Sequence, residues 1–137
     1  MVAFAVLTAL PMVNGRSRLL VLFEEITNGF AKIQRRIELY RRKRDAMESA
    51  MKEHLPPETS WTHPSGGFFL WVRLQDDADS EALLRRAIEE QQTAFVAGPS
   101  FFCDGSGANY LRLSFSFVAE GQIDEGIRRL SRAIAAG

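Results

Sequence analysis

The sequence predicts an α+β domain in which helices cover one face of a small, mostly antiparallel sheet. Apolar residues recur at helical spacing in the first third of the chain and again near its end. Short stretches rich in aromatic and β-branched residues lie between these segments, which gives the predicted order α-β-β-α-β-β-α. A length of 137 residues and a hydrophobic content of 46% suit one such domain with its own core.

The N-terminal segment 1–26 receives no assigned element. Its apolar run 2–13 is not preceded by a basic region, which argues against a signal peptide. The run is also shorter than the roughly 20 apolar residues that a membrane-spanning helix needs. A turn at Asn14–Gly15 and a second apolar patch at 19–23 follow, so we expect this segment to pack against another surface. The predicted domain therefore covers residues 27–137.

A long amphipathic helix is predicted from Thr27 or Asn28, either of which can cap its first turn. Pro56–Pro57 ends it, because proline lacks the amide donor and restricts the residue before it. The basic run 41–44 lies among acidic residues of the same turns, so we interpret it as a solvated helix face and not as a nucleic-acid patch. The helix is marked by apolar residues three, four or seven apart: Phe30, Ile33, Ile37, Tyr40, Met47, Met51 and Leu55.

A β-hairpin is predicted next. Residues 59–63 and 68–74 have strand composition, and the sequence Pro-Ser-Gly-Gly at 64–67 has turn chemistry. Gly66 and Gly67 can adopt positive φ and allow a ligand to approach the backbone closely. An ordinary hairpin turn is the more frequent reason for such a pair, so both explanations stay open.

The second half of the chain predicts two further helices around two strands. Residues 76–80 offer capping oxygens for a helix, and their acids are too closely spaced for a calcium loop. Residues 93–97 predict a short strand that Gly98–Pro99–Ser100 ends. The two helices are marked by Leu83, Leu84, Ala87 and Ile88 and by Ile123, Ile127, Leu130 and Ile134.

The stretch 109–117 alternates with a period of two and predicts a strand with one core face and one polar face. Arg112 is the one charged residue on the polar face, and a guanidinium can bind a carboxylate through two parallel hydrogen bonds. A half-buried strand whose arginine simply meets water explains the pattern equally well. The predicted core face consists of Leu111, Leu113, Phe115 and Phe117, and the polar face of Tyr110, Arg112, Ser114 and Ser116.

The composition limits which partners the protein can attract and in which cellular compartment it is expected. The 17 basic and 17 acidic residues cancel, so there is no overall field to attract nucleic acid or an anionic membrane. The single cysteine, Cys103, cannot form an internal disulfide or a thiolate metal site, and we expect it to be a buried, unreactive thiol. The sequence therefore predicts a reducing, cytoplasmic location.

Four blocks of the sequence together resemble the class I/II aminotransferases, which are fold type I pyridoxal-phosphate enzymes. They are residues 40–47, 64–72, 94–102 and 109–116, in the order and at the spacing of that family. The subgroup they resemble contains the 2-aminoadipate aminotransferases and the MocR-like regulators. The resemblance covers residues 29–137 and implies the small C-terminal domain of such an enzyme.

The resemblance also implies roles for particular residues. Arg112 matches the arginine that binds the α-carboxylate of an amino acid or 2-oxo acid, and Gly66 and Gly67 match glycines beside the substrate. The implied activity is transfer of an amino group between an amino acid and a 2-oxo acid, with pyridoxal 5'-phosphate as cofactor.

The family's Schiff-base lysine and cofactor pocket belong to a large domain that this sequence does not match. The lysines Lys32, Lys43 and Lys52 all lie on the predicted long helix, so no catalytic, cofactor-binding or metal-binding residue is assigned. Two functions stay open: a truncated or split transaminase that a large-domain chain completes, or a non-catalytic remnant or interaction module. Apolar surfaces that a large domain normally covers, including parts of Phe101, Phe102 and the N-terminal segment, are expected to be exposed and to make the chain self-associate.

Overall fold

The computed structural model describes residues 12–13 and 16–137, with side chains from Leu19 onward. The chain divides into two compact units, residues 1–39 and 40–137. The turn predicted at Asn14–Gly15 lies outside the described residues. No helix in the described part of the chain has the length and apolar character needed to cross a membrane.

The first unit contains a short antiparallel pair and the beginning of a long helix. Strands β1 (Met12–Val13) and β2 (Arg16–Ser17) pair with each other and lead into helix α1 (Arg18–His54). The prediction that this helix starts at Thr27 or Asn28 is therefore wrong. The Thr27 hydroxyl lies inside the helix and donates a hydrogen bond to the carbonyl of Phe23 at 2.7 Å, which satisfies it without a cap.

The second unit is a four-stranded antiparallel sheet with helices on one face. The strands lie in the order β3 (Ser60–Trp61), β4 (Phe69–Arg73), β6 (Tyr110–Ser114) and β5 (Val96–Ala97), so the two longest, β4 and β6, are side by side at the centre. Two short 3-10 helices, Gly98–Phe101 and Glu120–Gln122, follow β5 and precede the last helix. The elements are β3 (Ser60–Trp61), β4 (Phe69–Arg73), α2 (Ser80–Gln91), β5 (Val96–Ala97), β6 (Tyr110–Ser114) and α3 (Ile123–Ala135).

The core lies between the helices and one face of this sheet. On that face Leu70 and Leu111 are fully buried, and side chains of α1, α2 and α3 belong to the same apolar cluster. The predicted burial of Leu111, Leu113 and Phe115 is confirmed. The prediction for Phe117 is wrong: it is 98% exposed, because β6 ends at Ser114 and the alternation does not continue.

Two helix boundaries, the start of α2 and the end of α1, follow the chemistry that the sequence predicts. The Asp79 carboxylate accepts hydrogen bonds from the backbone amides of Glu81 at 2.9 Å and Ala82 at 3.1 Å, which caps α2. Helix α1 ends at His54, just before Pro56–Pro57. Both predicted boundaries are confirmed.

Two sequence-based interpretations need correction. The basic run of α1 is not wholly solvated: Lys43 is buried and donates to the Ser116 carbonyl at 3.0 Å, and Arg44 donates to the Pro64 carbonyl at 3.1 Å. These two side chains tie α1 to the ends of β6 and of the β3–β4 connection. Cys103 was expected to be buried, but it is exposed because it lies in the loop after the first 3-10 helix.

Candidate functional site

The candidate site lies on the sheet face opposite the core. Alternation along the strands brings Phe69 and Trp71 of β4 to the same face as Arg112 of β6. Trp71 is the register partner of Arg112 on one side, and Val96 of β5 is its partner on the other. Arg112 is therefore held on a central strand by hydrogen-bonded neighbours on both sides.

Aromatic rings surround the guanidinium of Arg112. Its Cζ atom lies 4.0 Å from the ring centroid of Phe69 and 4.4 Å from that of Phe101. Trp71 packs edge-to-face against Phe101, with 5.0 Å between the ring centroids. Each ring contributes about 0.5–1 kcal/mol at a partly exposed site and restricts where the guanidinium can point. Arg112 is thus oriented by apolar surfaces.

No side chain in the described part of the chain forms an ion pair or hydrogen bond with the Arg112 guanidinium. Arg73, on the same sheet face, differs because it forms an ion pair with Asp76. Asp76 is held in turn by the side-chain amide of Asn109 at 3.4 Å. The N–H donors of Arg112 therefore remain available for a bidentate interaction with an external carboxylate.

A tightly folded loop carries Phe101 to this position. A Cβ atom added to Gly98 would lie 2.1 Å from the carbonyl oxygen of Gly107, and one added to Gly107 would lie 2.3 Å from the ring of Phe102. Gly107 also has a φ of +83°, a conformation that side chains rarely adopt. The loop therefore closes on itself at Gly98 and Gly107, two positions where only glycine fits.

Ser80 at the start of α2 fastens both sides of this loop. It is fully buried; its backbone amide donates to the Ala108 carbonyl at 2.7 Å, and its hydroxyl accepts from the Gly98 amide at 3.3 Å. The first turn of α2, which Asp79 caps, thus fixes the loop that presents Phe101.

Gly66 and Gly67 lie in the exposed connection before β4. Gly67 has a φ of +85°, which the turn alone explains, and a Cβ at either glycine would meet no atom within 4 Å. The connection leads directly into Phe69, the residue whose ring lies against Arg112. The structure describes no direct contact between these glycines and Arg112, so their role beside a substrate stays a prediction.

This arrangement suits recognition of a carboxylate, and the comparisons with known proteins give the context. Residues 17–130 match the family described as Aminotransferase class I and II. The chain belongs to this family. It is 40% identical over 125 residues to the 2-aminoadipate transaminase of Thermus thermophilus, covering 90% of this chain and 30% of that protein. It is also 40% identical over 98 residues to aromatic-amino-acid aminotransferase 1 of Thermococcus litoralis, covering 72% of this chain and 23% of that protein.

Solved structures of this aminotransferase family have the same fold. The α-aminoadipate aminotransferase of Thermus thermophilus, in complex with N-(5'-phosphopyridoxyl)-L-leucine, matches with a TM-score of 0.76 and 37% identity. That match covers 90% of this chain and 32% of the other. The kynurenine aminotransferase of Pyrococcus horikoshii matches with a TM-score of 0.69 and 41% identity over 72% of this chain. The chain thus spans about a third or less of the relatives it matches.

Pyridoxal phosphate is the cofactor of the family, but the described residues do not fit its covalent attachment. The buried ammonium of Lys43 is committed to the Ser116 carbonyl. Lys32 and Lys52 are exposed on α1. None of the described lysines is therefore assigned to the cofactor.

Sequence reasoning missed Phe69 and Trp71 as site residues. The signal was present, because the alternation of 68–74 places both on the polar side of the sheet next to a strand that carries Arg112. The ring of Phe69 lies directly against the guanidinium, and Trp71 packs against Phe101, the second ring beside it.

Proposed function

We propose that this chain is the small C-terminal domain of a pyridoxal-phosphate-dependent aminotransferase of the 2-aminoadipate type, and that Arg112 binds the α-carboxylate of its substrate. The observation that carries the proposal is the guanidinium held between the rings of Phe69 and Phe101, with no acidic partner among the described residues. The relatives act on 2-aminoadipate and aromatic amino acids by name, which supports an amino acid and its 2-oxo acid as ligands. The MocR-like part of that subgroup stays a prediction.

In this proposal the chain contributes orientation. A bidentate hydrogen bond from Arg112 fixes the plane of the carboxylate, and the rings of Phe69 and Phe101 keep the guanidinium from swinging away. The rigid loop closed at Gly98 and Gly107 holds Phe101 in place. Pyridoxal phosphate supplies the electron sink for amino-group transfer in this family. That part of the reaction is assigned to a large domain, either in the same polypeptide or in a partner chain.

Binding can be measured on the chain itself by NMR of the arginine Nε–Hε groups. Pyruvate is expected to shift the signal of Arg112, whereas methyl pyruvate, which lacks the carboxylate, leaves it unchanged. Affinity is expected in the millimolar range, since one charge-assisted pair acts at a partly exposed surface. Arg112→Lys keeps the charge but loses the planar fork, so it should abolish the pyruvate-dependent shifts in the rest of the sheet.

Arg73→Lys is the matched control, because Arg73 lies on the same sheet face but is already paired with Asp76. This variant should leave the response of Arg112 to pyruvate intact. Equal responses to pyruvate and methyl pyruvate, or a response that survives in Arg112→Lys, would remove Arg112 from the carboxylate site.

Catalytic participation can be tested in a chimera in which this chain replaces the matching 30% of the Thermus thermophilus enzyme. Transamination of L-2-aminoadipate is expected. Arg112→Lys in the chimera should lower kcat/KM, because it removes about 1.5–3 kcal/mol of transition-state stabilisation. An active chimera with unchanged kinetics in Arg112→Lys contradicts the proposal.

The alternative of a non-catalytic module rests on the misfit between the described lysines and the cofactor. It is favoured if the chain binds carboxylates in the NMR titration while the folded chimera retains the cofactor but transfers no amino group.

A cytoplasmic location is part of the proposed function. It is supported by Cys103, an exposed thiol that pairs with no second cysteine of this sequence.

A further inference from the structure

Lys43 is a buried cation outside the carboxylate site. It lies on the second unit's part of helix α1, is 9% exposed, and donates from its ammonium to the Ser116 carbonyl at 3.0 Å. A lysine stem is long enough to carry its charge to water, and a buried ammonium costs free energy unless it is hydrogen-bonded. The contact with Ser116 therefore holds the side chain in one place, at a cost in desolvation that a surface lysine avoids.

The carbonyl that Lys43 contacts lies at the less supported end of strand β6. Ser116 comes two residues after the strand ends at Ser114 and four residues after Arg112. Strand β5 pairs with β6 only at Leu111 and Arg112, so beyond Arg112 the described sheet supports β6 from the β4 side alone. Lys43 holds this end of β6 from helix α1 instead.

The same end of β6 decides how the Arg112 guanidinium meets Phe69. In the register of the two central strands Phe69 lies opposite Ser114, and Arg112 lies opposite Trp71. The contact of 4.0 Å between the guanidinium carbon and the Phe69 ring centroid is therefore diagonal across the ladder. A diagonal contact depends on the twist of one strand against the other, so a displacement of β6 beyond Arg112 alters it.

One turn of α1 also holds the approach to strand β4. Arg44 donates to the Pro64 carbonyl at 3.1 Å, and Tyr40 packs edge-to-face on Phe68 with 4.9 Å between the ring centroids. Tyr40 and Arg44 lie three residues before and one residue after Lys43, so all three share one side of the helix. This single turn therefore contacts both the approach to β4 and the end of β6.

We propose that Lys43 is a positioning residue for Arg112. Its ammonium holds the end of β6 against α1, and through that strand it sets the angle at which the guanidinium lies between the rings of Phe69 and Phe101. A bidentate hydrogen bond needs the guanidinium plane in one orientation, so a support four residues away affects the strength of binding. The inference rests on the proposed function, in which Arg112 binds the carboxylate.

The NMR signal of the Arg112 Nε–Hε group tests this role in the chain without a ligand. The two phenylalanine rings shift this resonance according to where the guanidinium lies. Lys43→Met replaces the ammonium by an apolar group of similar length and is expected to displace the signal from its position in the parent chain. Lys43→Arg keeps a cationic donor and is expected to restore it.

Pyruvate binding gives a second measurement on the same variants. Lys43→Met should raise the dissociation constant for pyruvate about two- to fivefold, the effect expected when the guanidinium loses one of its two ring contacts. Lys43→Arg should return it to the parent value. If Lys43→Met does not fold, Lys43→Gln, which keeps a shorter neutral donor, is measured instead and is expected to displace the Arg112 signal in the same direction.

Two controls separate positioning from stability and from charge. Ile127 is 3% exposed on α3, so Ile127→Val should lower the urea midpoint through a lost methylene group but leave the Arg112 signal in place. Lys52→Met removes a lysine charge from an exposed position on α1 and should leave both the signal and the pyruvate affinity unchanged.

The outcomes distinguish this inference from the proposed function. An Arg112 signal that stays in place in Lys43→Met, that Ile127→Val displaces equally, or that remains displaced in Lys43→Arg overturns the positioning role. A parent chain whose Arg112 signal does not respond to pyruvate contradicts the proposed function instead. In that case the ligand-free signals of the Lys43 variants still decide whether Lys43 positions the guanidinium.

Discussion

The α-carbon of Gly98 faces the backbone of Gly107 so closely that an added Cβ would lie 2.1 Å from the Gly107 carbonyl oxygen. The same Cβ would lie 2.7 Å from the Tyr110 carbonyl oxygen. Both obstacles are backbone atoms, one in the loop and one in β6, two residues before Arg112. Neither can move without displacing the loop that presents Phe101 or the strand that presents Arg112.

Gly98→Ala is therefore expected to destabilise the chain by about 3 kcal/mol, the upper part of the range for overpacking a buried site. Urea unfolding followed by circular dichroism measures the change. Gly126→Ala is the matched control, since Gly126 lies inside helix α3 with no atom within 4 Å of an added Cβ. It should stabilise the chain by about 0.5–1 kcal/mol. Equal stabilities of the two variants would contradict this account of the loop.

The first turn of α2, which Asp79 caps, holds the same loop through the hydrogen bonds of Ser80. Asp79→Ala removes the carboxylate that accepts from the Glu81 and Ala82 amides and is expected to cost about 1 kcal/mol. Asp77→Ala removes an acid two residues earlier that accepts neither bond, so it should change stability little. The comparison of urea midpoints checks this, and a larger effect at Asp77 would refute the capping assignment.

The sequence allowed much of the second unit to be predicted, because its signals are local. The period-two alternation of 110–114, the cap at Asp79 and the stop at Pro56–Pro57 each depend on a few neighbouring residues, and each is present in the structure. Helix α1 was mispredicted at its start because Thr27 can either cap a helix or bond back to the preceding turn. Only the neighbouring turn, in which the Phe23 carbonyl accepts from Thr27, decides between the two.

The candidate site was predictable in its chemistry but not in its surroundings. Alternation places Arg112 on the polar face, yet no local pattern reveals that Phe101, in a loop eleven residues earlier, lies against its guanidinium. That contact depends on strand order and on a loop closed by Gly98. The burial of Lys43 was missed for a similar reason, since its partner Ser116 is 73 residues away.

The ring of Phe101 is expected to strengthen carboxylate binding through Arg112. Phe101→Leu keeps an apolar side chain but removes the face over which the guanidinium lies at 4.4 Å. The loss of one partly exposed cation–π contact of about 0.5–1 kcal/mol should raise the dissociation constant for pyruvate about two- to fivefold. The same NMR titration measures it, and Phe117→Leu provides a control at a distant exposed phenylalanine. Unchanged affinity in Phe101→Leu would show that Phe69 alone orients Arg112.

Acid stability is expected to depend on Asp124, a carboxylate at the junction of α1 and α3. The hydrogen bond from His54, at 2.8 Å, and the nearby positive charge of Arg128 hold the pKa of Asp124 below its usual value of 3.8. Because the folded-state pKa is the lower one, the ionised carboxylate stabilises the fold above pH 3.8. This stabilisation is lost as the pH falls from 3.8 through the folded-state pKa.

Asp124→Asn is therefore expected to lower the urea midpoint at pH 7, and the difference from the parent chain should shrink as the pH falls below 3.8. Asp77→Asn serves as the control, with a similar carboxylate removed outside this cluster, and should show no such convergence. Unfolding curves recorded at several pH values between 7 and 2.5 measure both variants. A gap between Asp124→Asn and the parent that stays constant down to the lowest pH would show that the His54–Asp124 pair contributes nothing through its charge.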